Sequence, residues 1–253
     1  MSYPGGGFSE AGIWQLVESD GYRVDLGIWS DLAEQTRGEV LDLGCGIGRV
    51  SNHLNQIGHR TTGVDRDPDL IEDFNRRRPP GSPAGIVADA TSLQRPDSPL
   101  DGRSFPLVIA PQQLLQILGG PAQRSRLLGS LPELIDPGGL AAFAICEELP
   151  PGPVDYPDVP PDIREVGGWV HASQPVSIET GSGSVTAVRR RKSLGPDGEV
   201  RESRDSVTLE RLDRLTLEAE LLEAGMLMAG SATIPATTRH MGSTLVLARP
   251  ATS

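Results

Sequence analysis

A single lysine, Lys192, serves the whole of this 253-residue chain, so covalent chemistry through an amine would hang on one side chain and is set aside. Cysteine is nearly as scarce. Cys45 and Cys146 show no repeated spacing of the kind that builds a zinc site or a disulfide framework. Each closes a predicted apolar strand, and both are expected to be reduced structural thiols. No apolar run approaches the roughly 20 residues of a membrane span. The stretch from Met1 to Gly7 has neither a positive n-region nor an apolar core, so no secretory leader is expected and the predicted location is cytoplasmic. Positive charge is in deficit as well. With 34 Asp and Glu against 23 Lys and Arg, the formal charge of -11 repels phosphate backbones and anionic lipid. Nucleic acid and membrane are therefore not expected as partners. Two basic runs, Arg76-Arg77-Arg78 and Arg189-Arg190-Arg191-Lys192, are read as solvated faces among acidic neighbours.

What is present is an alternation of strand and helix. Two short amphipathic helices are predicted first, marked by Ile13, Trp14, Leu16 and Val17 and then by Leu26, Ile28, Trp29, Leu32 and Ala33. Strands are predicted at Glu39 to Leu43, up to Asp65, at Gly85 to Ala90, at Phe105 to Ala110 and at Leu140 to Cys146. The intervening helices carry their own signals: Gly58 as a stop after the first, and Asp67 with Pro68 as the start of the second. A third helix near Pro121 to Ile135 ends at the turn Asp136-Pro137-Gly138-Gly139. The alternation then breaks. Residues 147–162 read as loop, and three period-2 runs follow at 168–178, 184–194 and 200–209, the last two joined by a turn at Gly195 to Gly198. A helix at Leu217 to Ala224, capped by Thr216, and two strands at 226–234 and 243–248 finish the chain.

This order predicts an α/β fold: a doubly wound, mostly parallel seven-stranded sheet of Rossmann type, with an antiparallel β insertion after strand five. The expected domains are a helical N-terminal cover (1–38), an α/β core (39–146 with 210–253) and an insertion forming an acceptor-pocket lid (147–209). Ligands of such sheets bind at the carboxyl ends of the strands. The tips at Asp42 to Gly48, Asp65, Asp89 and Pro111-Gln112-Gln113 should therefore line one crevice.

The segment Leu41-Asp42-Leu43-Gly44-Cys45-Gly46-Ile47-Gly48 is the most informative in the chain. It runs from an apolar strand through a glycine turn, where the backbone approaches a ligand closely, into a helix. Asp65, at the tip of the next strand, is placed to accept hydrogen bonds from ribose hydroxyls. An adenosine-bearing cofactor follows. With Gly63-Val64-Asp65, Val87-Ala88-Asp89-Ala90, Leu107-Val108-Ile109-Ala110 and Pro137-Gly138-Gly139 in order, the chain resembles the class I S-adenosylmethionine-dependent methyltransferases of small-molecule type.

That resemblance implies S-adenosyl-L-methionine as cofactor, S-adenosyl-L-homocysteine as product, and O- or N-methyl transfer to a small-molecule acceptor by in-line displacement. It implies that Asp65 grips the ribose and Asp89 the adenine amino group, with Ala90 offering backbone. Gly44, Cys45 and Gly46 would cradle the methionine portion, and Asp42 would fix the turn or reach the amino group. Tyr22, Arg66 and Pro111 complete the implied cofactor contacts, and Gln112, Gln113, Gln116 and Trp169 are the candidate acceptor contacts. No metal is implied. Of the four histidines, His53 and His59 read as packing or surface residues. His171, in the insertion, and His240, before the last strand, are geometrically eligible as a general base. Two other readings stand beside this one. A nicotinamide-dependent oxidoreductase would want a third glycine where Ser51 stands and a hydride site, and a non-catalytic cofactor-binding protein could share the fold. Composition leaves monomer and homodimer open.

Overall fold

Ser9 opens helix α1 (Glu10–Glu18) by accepting a 2.9 Å hydrogen bond from the Gly12 amide, and α2 (Leu26–Thr36) follows after a short turn. The computed structural model describes residues 7–93, 97–156 and 158–251, and within them the chain divides into two compact units. One comprises Val24–Glu148 with the segment from Leu212 onward; the other is Leu149–Arg211 with the N-terminal segment up to Arg23. The first 38 residues, expected as one cover, thus fall into both units, α1 in one and α2 in the other.

In the larger unit β1 (Val40–Leu43) is buried at all four positions, as a strand covered on both faces must be. After the glycine turn come α3 (Arg49–Gln56), β2 (Thr61–Asp65), and α4 (Pro68–Arg77), whose first turn is capped by the Asp67 carboxylate. β3 is only Ile86–Val87, shorter than expected, because Asp89 turns the chain by accepting from the Thr91 amide at 2.8 Å and starts a 3₁₀ turn instead. β4 (Phe105–Ala110) is followed by a one-turn helix the sequence did not announce, α5 (Leu114–Ile117), and by α6 (Pro121–Leu134). β5 (Ile135–Ile145) begins five residues earlier than expected, since Ile135 pairs with Phe105 and the Asp136–Gly139 stretch is absorbed as an irregularity in the ladder.

The smaller unit is an antiparallel sheet. The segment expected as loop holds the short strand β6 (Val154–Asp155) and the start of β7 (Asp162–Val166). The three period-2 runs are β8 (Trp169–Gly181), β9 (Ser184–Leu194) and β10 (Val200–Glu210). At the β9–β10 turn Gly198 N donates to Gly195 O at 3.0 Å. The sheet order is β10-β9-β8-β6, with β7 also on β8. Helix α1 lies on one face of this sheet. Glu18 accepts from both Arg191 nitrogens at 2.8 and 2.9 Å and from Ser173 Oγ at 2.7 Å, while the Arg191 guanidinium stacks over Trp14. The 189–192 run is therefore not one solvated face. Strand alternation sends Arg189 and Arg191 towards α1, and Arg190 and Lys192 to the other side, where they meet Gln174 and Glu202.

Back in the larger unit, α7 (Arg214–Glu223) starts three residues before its expected first residue, Leu217. Asp213 is the cap, accepting from the amide of Thr216, which lies inside the first turn. β11 (Met226–Ile234) and β12 (Ser243–Pro250) finish the seven-stranded sheet, ordered β11-β12-β5-β4-β1-β2-β3. All pairings are parallel except those of β12 with β5 and β11. The chain runs outward from β1 towards β3 on one side and through β4 towards β5 on the other, so the switch point lies between β1 and β4.

Candidate active site

The tip of β1 sits at that switch point. Gly44, Gly46 and Gly48 all take positive φ (68°, 54° and 85°), so the turn bends tightly without a Cβ in its way. Gly44 is exposed, and its bare backbone forms an open cradle. Gly48 is buried, and a Cβ there would lie 2.5 Å from Asn52 Nδ2 and 2.7 Å from Phe74 Cδ2. Asp65 braces the turn from β2: its carboxylate accepts from Gly46 N at 2.9 Å and from Asp67 N at 3.0 Å. It remains partly exposed, with lone pairs left for a further donor.

Beneath the turn, Asp42 is fully enclosed. Ser51 Oγ donates to its Oδ2 at 2.6 Å, and its Oδ1 has no hydrogen-bond partner. Burial raises its pKa from an ordinary 3.8 to about 7, against the lowering effects of Ser51 and of Arg49 on α3, and Asp65 adds a smaller upward push. Arg49, the first residue after the glycine turn, was not singled out from sequence. Its guanidinium is buried and grips Asp25 at the head of α2 with two bonds of 2.6 and 2.7 Å, and Trp29 Nε1 donates to the same carboxylate at 2.8 Å. A cation in the first turn of a helix opposes the helix dipole, and Asp25 neutralises it.

The remaining cofactor candidates divide. Asp89 is exposed at the β3 tip and Ala90 begins the 3₁₀ turn beside it. Arg66 is exposed just beyond Asp65, and Pro111 is buried at the end of β4. Cys45 packs its thiol against Ile71 and Phe74 and donates from Sγ to Gly46 O at 3.5 Å, and burial pushes its pKa well above the usual thiol value. Tyr22 belongs to the smaller unit and is buried there.

The acceptor candidates after β4 differ in kind. Gln112 and Gln113 both adopt left-handed backbone (φ 56° and 60°), a strained pair for residues with side chains. Gln113 N donates to Ala144 O at 3.2 Å and its Nε2 to Ser243 Oγ at 2.9 Å, which ties the β4 tip to the start of β12. Gln116 is not a pocket residue. It is buried, and its amide brackets Cys146, donating to the carbonyl at 3.0 Å and accepting from the amide at 2.7 Å. Trp169 is packed within the smaller unit, against Gly195 and under the Arg201 guanidinium.

The two candidate bases part company. His171 is completely buried, its Nδ1 2.8 Å from Ser193 Oγ and its ring edge-on to Trp14, and burial lowers its pKa. His240 is half-buried in the loop before β12. Its amide donates to Thr237 Oγ1 at 2.9 Å, in the loop three residues ahead of Ser243, where β12 begins beside the carboxyl end of β5. Among the described residues no group of three His, Cys, Asp or Glu could hold a metal ion, and no helix is long and apolar enough to cross a membrane.

The glycine turn, the braced strand-tip carboxylate and the strand order coincide with a known pattern: residues 40–139 match a family model described as a methyltransferase domain. Residues 40–139 are a methyltransferase domain. The solved structures agree in fold over nearly the whole chain. The sugar N-methyltransferase KedS8 from Streptoalloteichus superposes with TM-score 0.72 at 16% identity, covering 99% of this chain and 96% of its own. An S-adenosylmethionine-dependent methyltransferase from Clostridium acetobutylicum gives 0.71 at 13% identity (95% and 97% covered), and the CcbJ methyltransferase from Streptomyces caelestis 0.70 at 17% (96% of each). A search of curated proteins returns no match. The methyltransferase domain supplies the whole candidate crevice: Gly44, Asp65, Asp89 and Gln112 all lie within its matched span.

Proposed function

We propose that this protein is an enzyme that transfers a methyl group from S-adenosylmethionine to the oxygen or nitrogen of a small-molecule acceptor. One observation carries the reading: the exposed, Cβ-free cradle at Gly44 stands beside the partly exposed carboxylate of Asp65, within a methyltransferase domain. The donor set fits the cofactor. Gly44 leaves backbone open to the amino-acid portion, Asp65 offers acceptors to two hydroxyls, and Asp89 offers one to an exocyclic amine. When bound, S-adenosylmethionine supplies an electrophilic methyl group on a sulfonium. The protein's part is to hold acceptor and methyl carbon in line and to keep water out. The carboxylates at the strand tips favour a cationic ligand in that crevice. We assign His240, at the same sheet edge, to removal of the acceptor's proton, and His171 to packing, because a fully buried ring engaged by Ser193 does not reach an acceptor. The neighbours that act on sugars make an amine- or hydroxyl-bearing sugar a reasonable first acceptor to assay.

Asp65→Ala weakens S-adenosylmethionine binding about 10- to 150-fold, the about 1.5–3 kcal/mol attached to hydrogen bonds on a charged acceptor. Calorimetric titration measures it, with a thermal melt to verify the fold. Unchanged affinity removes Asp65 from the site, and tighter binding of a nicotinamide dinucleotide than of S-adenosylmethionine overturns the cofactor. His240→Ala lowers turnover about 10²-fold with cofactor affinity unchanged, as expected on loss of a general base. A variant within about threefold of wild type hands the proton to water.

A further inference from the structure

β10 is the outer strand of the smaller unit's sheet. Over its 11 residues it pairs with β9 from Val200–Leu194 to Glu210–Ser184, and β9 is its one neighbour among the described residues. Eight of the 11 positions are exposed, on both faces, because α1 packs over β7 and β8 and stops short of β10. A long, uncovered edge presents a row of backbone donors and acceptors to any other strand.

The sequence of that edge is unusual. Arg201-Glu202-Ser203-Arg204-Asp205 reads as opposite charges about a central serine. Edge strands are commonly protected by charges of one sign, which repel a second copy. Here the signs alternate in a self-complementary order. We infer that β10 is a dimerisation edge, pairing antiparallel with β10 of a second copy about a two-fold axis through Ser203.

Symmetry selects the register. A two-fold axis normal to the sheet leaves each face on its own side, so even-numbered residues meet even and odd meet odd. Centred on Ser203, the pairing sets Arg201 opposite Asp205 and Glu202 opposite Arg204, each twice, with no like charges opposed. Centring on Arg201, Glu202, Arg204 or Asp205 places that residue against its own copy, and centring on Ser206 places Glu202 against Glu210. Centring on Val200 or Val207 opposes one combination of unlike charges, Glu199 with Arg201 or Arg204 with Glu210, whereas Ser203 opposes two. Opposite charges directly across a ladder stabilise it, so the register through Ser203 is favoured. The intrachain pairs Lys192–Glu202 (2.9 Å) and Arg191–Asp205 (2.9 Å) leave these carboxylates at the surface, able to take a second cation.

Sedimentation equilibrium of the full chain at micromolar concentration is expected to give twice the chain mass. Glu202→Arg and Arg204→Glu each oppose like charges and are expected to weaken the dimer about tenfold or more. An equimolar mixture of the two restores the mass, because both cross-strand pairs are again opposite in sign. Ser203→Cys is expected to cross-link spontaneously under mild oxidation, since directly opposed residues stand about 4.5–5.5 Å apart at Cα, and Ser206→Cys is not. Cys45 and Cys146 are buried and do not compete. The cysteine variants read the register in a chain with native charges, should a charge reversal perturb folding. A wild-type chain that stays monomeric, a dimer indifferent to both reversals, or cross-linking at 206 in place of 203 overturns the inference.

Discussion

Asp25→Ala is expected to lower the unfolding free energy by about 3–5 kcal/mol, the largest loss of any single substitution considered. The pair it breaks is dry on both sides, with side-chain exposures of 6% for Arg49 and 2% for Asp25. Removing the carboxylate leaves the guanidinium buried beside the glycine turn without its counter-charge, and strips Trp29 Nε1 of its acceptor. A surface pair of similar length, such as Arg214–Glu218, is solvated and is expected to contribute about 0.3–0.5 kcal/mol. Urea unfolding at neutral pH measures the difference. The double replacement Asp25→Leu with Arg49→Met recovers most of the loss, because the pair as a whole contributes far less than the penalty for breaking it. A loss under about 1 kcal/mol for Asp25→Ala alone shows that water reaches Arg49 and that the site is not sealed.

The second large effect is a pH dependence. Because burial raises Asp42 from 3.8 to about 7, its ionised form is about 4 kcal/mol less favourable in the folded chain than in the unfolded one. The folded state therefore holds a proton that the unfolded state has lost. Its stabilisation is complete below about pH 4, falls as pH rises towards about 7, and is gone above that. The groups facing Asp42 are Ser51 and Arg49 on α3 and Asp65 on β2, and the first two keep the shift from being larger. Asp42→Asn keeps an acceptor for Ser51 and cannot ionise. Its stability, relative to wild type, is expected to increase by about 4 kcal/mol between pH 4 and pH 8, read from urea midpoints. Parallel curves for the two proteins would mean that Asp42 is ionised throughout and solvated.

The parts legible in the sequence were those written in short-range code. Continuous apolar runs gave β1, β2, β4 and most of β5, and period-2 runs gave β8, β9 and β10, because side-chain alternation follows directly from the pleat. Gly44, Gly46 and Asp65 were legible for the same reason: a turn and a strand tip are local. The misses depended on partners far along the chain. Nothing near Gln116 announces that its amide closes on Cys146, and nothing near His171 announces that Ser193 and Trp14 enclose it. Arg49 is the instructive case. An arginine opening a helix, against the dipole, is a signal that an acid waits nearby, and Asp25 stands one residue before a predicted amphipathic helix. At α7 both Asp213 and Thr216 are good capping residues, and choosing between them needed the backbone geometry.

The division of the N-terminal helices has a consequence for synthesis. Helix α1 leaves the ribosome well before the strands it packs on: Ser173, which donates to Glu18, follows it by 155 positions. At about 5–20 residues per second, that gap lasts roughly 10–30 s. During that time Trp14, Ile13 and Leu16, all buried in the finished protein, have no sheet to cover them, while α2 can dock as soon as α3 and β4 emerge. The nascent chain thus offers the apolar face of α1 to chaperones and to aggregation until β7, β8 and β9 emerge to cover it.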